Sequence, residues 1–234
     1  VVILFFSFSQ CAGIAQLRHL LLLFICLSLQ ACTSAQNSVN DTVYHVLFES
    51  SGVELTDQEI QDLSRPSVYV SINHQPQIMM VLGALENGEE KWVSQDRTLM
   101  TLRHGRLVKT LGWHDNLTSV SNLEQDPLAA PLRIIDGNRW LRQIAWTENN
   151  QTRYGLAEST FQRQEDEALT IGGQRKTYRV IEEQVAVSSL NKNWENRFWV
   201  DPQTGVVIKS EQYLGADYFP VEITLLKQRD NEKN

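Results

Sequence analysis

From Ser67 to Leu226 the apolar residues keep a period of two, and that rhythm restricts the fold more than anything else in the chain. Val68, Val70 and Ile72 alternate with Tyr69, Ser71 and Asn73. Successive side chains of a strand point to opposite faces, so such alternation predicts strands with one face buried. Turn signals punctuate the pattern: Asn87-Gly88, His104-Gly105, Asp136-Gly137, Gly172-Gly173 and Asp201-Pro202-Gln203-Thr204-Gly205. Between them lie about ten or eleven short strand candidates. They include Gln77 to Leu85, Thr98 to Arg103, Leu107 to Leu111, Arg139 to Trp146, Tyr154 to Arg163 and Lys176 to Ser188, then Asn196 to Val200, Val206 to Tyr213 and Val221 to Leu226. No helical stretch is long enough to cross between parallel strands. The expected fold is therefore mainly β: an antiparallel meander closing into a barrel or half-barrel. One or two short N-terminal helices precede it. Thr56 and Glu59 have capping-box spacing for a helix through Leu63, ended at Arg65-Pro66 and packed on a sheet edge. The spacing of Thr42 to Phe48 suits a short helix about as well as a strand. Residues 42–230 read as a single β-rich domain. Within it, Pro127 and Pro131 bracket an apolar loop, Leu128-Ala129-Ala130, expected to be mobile.

The N-terminal part obeys different rules. An apolar run from Leu20 to Leu29 follows Arg18 and precedes Ala31, the layout of a secretory signal. At about ten residues it is half the length needed to span a bilayer as a helix. Leu29-Gln30-Ala31-Cys32 resembles the lipobox of bacterial lipoproteins. Cys11 and Cys26 lack a small residue before them; Cys32 has one. The resemblance implies cleavage after Ala31, a diacylglyceryl group on Cys32 and acylation of the new N-terminus. Residues 1–31 would thus be the signal peptide. Val1 to Phe8 is a second apolar run, read as lying upstream of the true start (residues 1–15), with a long n-region as the rival reading. Thr33 to Asp41 is polar and aperiodic, so residues 32–41 read as anchor and flexible tether. Nine residues reach at most about 30 Å, holding the domain near a membrane surface. Thr33 after the anchor, rather than Asp, resembles lipoproteins sent to the outer membrane, with the domain facing the periplasm.

Cleavage would leave 203 of the 234 residues and one cysteine, the lipidated one, so no disulfide would staple the core. That length suffices for a core without one. Residues 1–31 hold one basic and no acidic residue, so the remainder has 20 Lys+Arg against 28 Asp+Glu. This balance argues against nucleic acid and against charge-driven binding to anionic headgroups.

A search for chemistry returns little. His45, His74, His104 and His114 show no metal-ligand spacing, and no cofactor motif is present, so neither a metal nor a cofactor is expected. His114-Asp115 pairs a base with a carboxylate, but strand neighbours point to opposite faces. Glu165-Asp166-Glu167 reads as a solvated loop rather than half of a glycosidase pair. Glu182-Glu183 places one acid on each face of a strand, and the inward one would need a buried partner, an arginine first of all. Six tryptophans read chiefly as core, though sugars also stack on such rings. Trp140 and Trp146 should share a face on one regular strand; Trp194 and Trp199 should not, unless a bulge intervenes.

Several segments together resemble the YjbF/GfcB (YmcC-like) lipoproteins tied to exopolysaccharide and group 4 capsule secretion. They are Lys91-Trp92-Val93-Ser94, the run Arg103 to Gly112, Asn196-Arg197-Phe198-Trp199-Val200-Asp201, Gly205, and Ser210-Glu211-Gln212. The resemblance implies an antiparallel barrel-like fold and an outer-membrane lipoprotein. It implies a non-enzymatic accessory in polysaccharide export, with export proteins or glycan as partners besides the membrane, and no catalytic residues. The alternative is a periplasmic carrier of a hydrophobic ligand, because Phe198 to Ile208 faintly resembles strands of lipoprotein-localisation half-barrels.

Overall fold

A computed structural model describes residues 52–229. Thirteen strands form one antiparallel system: β1 Ser67–Ile72, β2 Ile78–Glu86, β3 Glu89–Val93, β4 Leu99–Arg103, β5 Arg106–Leu111, β6 Leu117–Val120, β7 Arg139–Glu148, β8 Gln151–Arg163, β9 Glu167–Ile171, β10 Gln174–Val187, β11 Lys192–Val200, β12 Val207–Leu214 and β13 Phe219–Lys227. Their lateral order is β5-β4-β3-β2-β1-β13-β12-β11-β10-β8-β7-β6, with β9 on β10 alone. Chain neighbours are thus sheet neighbours almost throughout, and β1 pairs with β13. This is the meander that period-two patterning predicts, nearly closed into a barrel.

The turn dipeptides do what their chemistry requires. Asn87-Gly88 and His104-Gly105 both take positive φ at both positions, the backbone of a two-residue hairpin whose twist matches its strands. Asp201 closes the β11–β12 hairpin, its Oδ1 accepting from the N–H of Gln203 and Thr204 at 2.8 and 3.1 Å.

The barrel seam lies between β5 and β6, the two ends of the strand order. Side chains bridge it. Thr110 Oγ1 of β5 accepts from the Leu117 N–H of β6 at 2.9 Å, and in the connecting turn Asn116 Nδ2 donates to the Trp113 carbonyl at 2.9 Å. Thr110 is buried. Thr110→Val keeps the shape but strands the Leu117 N–H, so it is expected to cost about 1–3 kcal/mol in urea unfolding. Hydrogen exchange at Leu117 should accelerate while amides of β1 keep their protection.

The inner core runs from Val68, Met80 and Trp92 to Trp146, Val187 and Trp194. A second cluster gathers Leu128, Trp140, Phe161, Ile181 and Phe198. A third, with Tyr178, Val180, Trp199 and Ile208, is packed by Leu169 and Ile171 of β9. Trp194 and Trp199 therefore fall in different clusters, as their odd spacing requires, while Trp140 and Trp146 are both buried among the alternate residues of β7. β9 was not legible in the sequence. Glu167, read as solvated loop, opens that strand and accepts from Trp199 Nε1 at 2.8 Å and Arg197 Nη2 at 2.7 Å.

One short α-helix, α1 (Asp57–Gln61), occurs among the described residues, and its capping box is fully formed. It ends two residues before Leu63. Gln61 Nε2 donates to the Gly172 carbonyl at 2.9 Å, docking the helix on the β9–β10 turn. The proposed helix over Thr42 to Phe48 lies outside the described residues.

Candidate functional site

Three polar features stand out: an ion quartet inside the barrel, an open mouth at one end and a cleft at the other. The quartet is built by strand alternation. Arg142 lies between Trp140 and Ile144 on the buried register of β7, and Glu183 lies on the inward register of β10. Glu183 is fully buried, as the one-acid-per-face reading of Glu182-Glu183 requires. Its partner is indeed an arginine, and there are two. Arg106 Nη1 donates to Glu183 Oε2 at 2.7 Å, and Arg142 Nη1 lies 3.1 Å from Oε1. Asn196 Nδ2 and Ser159 Oγ complete the carboxylate's shell at 2.9 and 2.5 Å. Arg106 also grips Asp126 with two nitrogens, at 2.6 and 3.2 Å. The indole of Trp140 lies under both guanidiniums, 4.6 Å from that of Arg106 and 4.2 Å from that of Arg142.

The electrostatics follow from this geometry. Burial alone would push the Glu183 carboxyl up, but the two guanidiniums and the hydrogen bonds from Asn196 and Ser159 outweigh it and hold it at about 2. Burial pushes Arg142 down to about 10, with Glu183 opposing. Arg106 is also desolvated, yet its two carboxylates raise it above the ordinary arginine value. The four charges cancel. All four side chains are almost wholly enclosed, so the quartet is not presented to solvent.

The quartet is tied to the mouth. Asp126 caps a 3-10 turn at Pro127–Ala129, accepting from the Leu128 N–H at 3.0 Å. Leu128 is buried, and Arg179 Nη1 holds the Leu132 carbonyl at 3.0 Å. The Pro127–Pro131 loop, expected to be mobile, is thus fixed at several points. It forms one wall of a mouth of about 770 Å³. The His104-Gly105 turn and the Thr204–Val207 segment form others, and Val68, Trp92 and Leu102 reach it from within. Glu90 also lines the mouth, its carboxyl pushed up by burial while accepting from Trp92 Nε1 at 3.3 Å.

At the opposite end Trp113, Asp115, Tyr218 and Phe219 line a cleft of about 640 Å³. Here the His114-Asp115 pair resolves. The imidazole Nε2 lies 3.8 Å from Asp115 Oδ2, and its side chain is 83% exposed. Tyr218 takes that oxygen instead, donating its hydroxyl at 2.8 Å. Asp115 therefore does not orient the imidazole.

Among the described residues no group of three His, Cys, Asp or Glu side chains is disposed to hold a metal ion. Cys32, the expected lipid-anchor residue, lies outside the described residues. The quartet's members other than Glu183 were not singled out from sequence. The available signal was a charged residue on a register otherwise held by Trp140, Ile144 and Trp146.

These features define a near-closed antiparallel β-barrel domain whose interior is occupied by packed side chains and a neutral ion quartet. A family described as "Group 4 capsule polysaccharide lipoprotein gfcB, YjbF" matches residues 40–226, and the chain belongs to that family of lipoproteins. It is 43% identical over 206 residues to the uncharacterized lipoprotein YjbF of Escherichia coli strain K12, covering 88% of this chain and 96% of the relative. It is 41% identical over 211 residues to the uncharacterized lipoprotein GfcB of the same strain, covering 90% and 99%. The crystal structure of the hypothetical lipoprotein YmcC from Escherichia coli K12 superposes with a TM-score of 0.75 at 40% identity, over 81% of this chain and 96% of that one. The family bears on capsule polysaccharide, and none of these descriptions is enzymatic.

Proposed function

We propose that the chain is an outer-membrane lipoprotein that serves capsule or exopolysaccharide export as a non-enzymatic accessory, its β domain facing the periplasm. The observation that carries this reading is the family match over residues 40–226, joined to the lipobox at Leu29 to Cys32. In this reading residues 1–31 are removed, Cys32 carries the acyl chains and residues 33–41 tether the domain. Its partners are export proteins or the glycan itself. Glu183, a strongly perturbed carboxylate, is sealed inside and held by four donors, so in this reading it serves the fold.

Deleting the gene should lower secreted polysaccharide, and wild-type sequence should restore it. Cys32→Ser should lose acyl labelling, leave the membrane fraction and fail to restore secretion. Unchanged secretion in the deletion strain would refute the export role. An unmodified peptide running through Ala31-Cys32 would refute the anchor. A hydrophobic-ligand carrier is the second reading, favoured by the open mouth at Leu128 and Val207. Extraction of a stoichiometric lipid from the purified protein would favour it over the first.

A further inference from the structure

The mouth of the barrel is set apart by its walls and by its charge. Val68, Trp92, Leu102 and Leu128 line it but are buried, so they are not offered to a ligand. Other wall residues are accessible. Leu132, Val207 and Leu225 are half-buried, and Ala130 and Leu85 are exposed, the latter by 45%. All of these are aliphatic. Trp92 is the one tryptophan, tyrosine or phenylalanine of the lining, and it is 2% exposed. A sugar would therefore find no ring face to stack on, whereas a hydrocarbon chain would meet surface of its own kind. A volume of about 770 Å³ lies within the range of small-molecule sites, roughly 300–1,000 Å³.

The charge of the mouth runs opposite to that of the chain. The sequence has 21 Lys+Arg against 28 Asp+Glu, but the mouth is lined by Arg133, Lys209 and Arg229, with His104, against Glu90 alone. Two of these cations are already engaged. Lys209 is held by Glu211 at 2.8 Å and by Glu222 at 3.5 Å. Arg229 acts on Glu90: burial raises that carboxyl, while the Trp92 N–H, Arg229 and His104 oppose the rise. Arg133 is different. It is exposed and makes no hydrogen bond or ion pair with another described residue. Its backbone is nonetheless fixed by the 3-10 turn Pro131–Arg133, whose Leu132 carbonyl is held by Arg179 at 3.0 Å. An unpaired guanidinium on a fixed turn, beside an aliphatic wall in a concave site, attracts an anion.

We propose that the barrel mouth binds an aliphatic chain carrying an anionic head group, with the chain against Leu132, Val207 and Leu225 and the phosphate or carboxylate on Arg133. This deepens the hydrophobic-ligand carrier reading, on which it rests, by giving the ligand both a chain and a charge. It makes no use of the export role. A fatty acid and a phospholipid share this chemistry.

The test uses the intact lipoprotein in digitonin, a neutral detergent without an alkyl chain. The probe is hexadecyl phosphate bearing a diazirine in its chain. Illumination should label peptides that contain Leu132, Val207 or Leu225, and unlabelled alkyl phosphates should displace the probe. Each added methylene, from decyl to tetradecyl phosphate, should strengthen displacement by up to about fourfold. Arg133→Glu should weaken displacement by dodecyl phosphate by about tenfold or more. Ala130→Glu, which puts a like charge on the aliphatic wall, should lower labelling of the same peptides. Both replaced residues are exposed, so either variant decides if the other fails to fold. Tyr154→Ser, on an exposed face of β8, should label as wild type. Label confined to peptides outside the mouth overturns the proposal, as does displacement that ignores chain length. Equal displacement by dodecyl phosphate and dodecyltrimethylammonium overturns the anionic head while keeping a hydrophobic-ligand carrier. Absence of both labelling and a co-purified lipid removes the carrier reading as well. Mass spectrometry of lipid extracted from the membrane-purified protein tells a fatty acid from a phospholipid, and a neutral lipid alone overturns the proposal.

Discussion

Glu183→Gln is expected to destabilise the barrel by about 3–5 kcal/mol, although it removes no volume. The wild-type quartet balances Arg106 and Arg142 against Asp126 and Glu183. Glutamine preserves the shape but leaves two buried guanidiniums facing one carboxylate. Arg142 is the more exposed to this loss, because Glu183 is the carboxylate it contacts, whereas Arg106 keeps Asp126. Removing the surplus charge should repair part of the damage. Glu183→Gln with Arg142→Met should therefore be less destabilised than the sum of the single variants. A positive coupling of about 1–3 kcal/mol in a urea double-mutant cycle is the expected reading. Strict additivity would show that the two side chains do not interact.

The same residue predicts an acid limb. The Glu183 carboxyl lies at about 2 in the fold against an ordinary value of 4.5. A depressed acid stabilises the fold fully above its unfolded value and loses that contribution as pH falls toward its folded one. The wild-type protein should thus lose about 1.4 kcal/mol per pH unit from this group between about 4.5 and 2. Glu183→Gln lacks that slope. The difference between the two proteins should hold steady above pH 4.5 and shrink below it.

Much of this architecture could be read from the residues because one face of each strand is buried. Burial of one face makes alternation informative, so Glu182 and Glu183, or Trp194 and Trp199, could be assigned to opposite faces before any coordinates. What alternation does not carry is lateral partnership. Arg106 meets Asp126 across 20 positions and Glu183 across 77, and nothing local marks either pairing. The Pro127–Pro131 loop read as mobile for the same reason: its restraint comes from Arg106 and Arg179, far off in the chain. β9 escaped notice because Glu165-Asp166-Glu167 looks solvated. Its opening acid is in fact used by Trp199 and Arg197, which need a cover on the outer face. Asp115 is a similar case: the sequence reading set His114 and Asp115 on opposite faces, and the carboxylate takes its hydrogen bond from Tyr218, 103 positions away.

Gly105→Ala should produce a loss comparable to that of Glu183→Gln, for a wholly different reason. Gly105 sits at φ +79, in the region L-residues avoid. That conformation alone costs an alanine about 1–2 kcal/mol. The added methyl would also meet the Val207 side chain, with its Cβ 2.4 Å away and both Cγ atoms within 2.8 Å. Those are carbons close to a backbone turn, so the two hairpins cannot separate freely. Overpacking of this kind costs a further 1–3 kcal/mol or so. The carbonyl of Gly105 accepts from Gln212 Nε2 at 2.9 Å, and Gln212 Oε1 accepts the Leu107 N–H at 3.0 Å. Any shift that relieves the clash therefore pulls on a buried hydrogen-bond pair beside the quartet. A total of about 2–5 kcal/mol is expected in urea unfolding. Val207→Ala in the Gly105→Ala background removes the two Cγ atoms but not the Cβ or the positive φ. It should recover part of the loss and leave at least the 1–2 kcal/mol of backbone strain. Recovery to the stability of Val207→Ala alone would show that the turn tolerates a side chain here, and that the positive φ carries no cost.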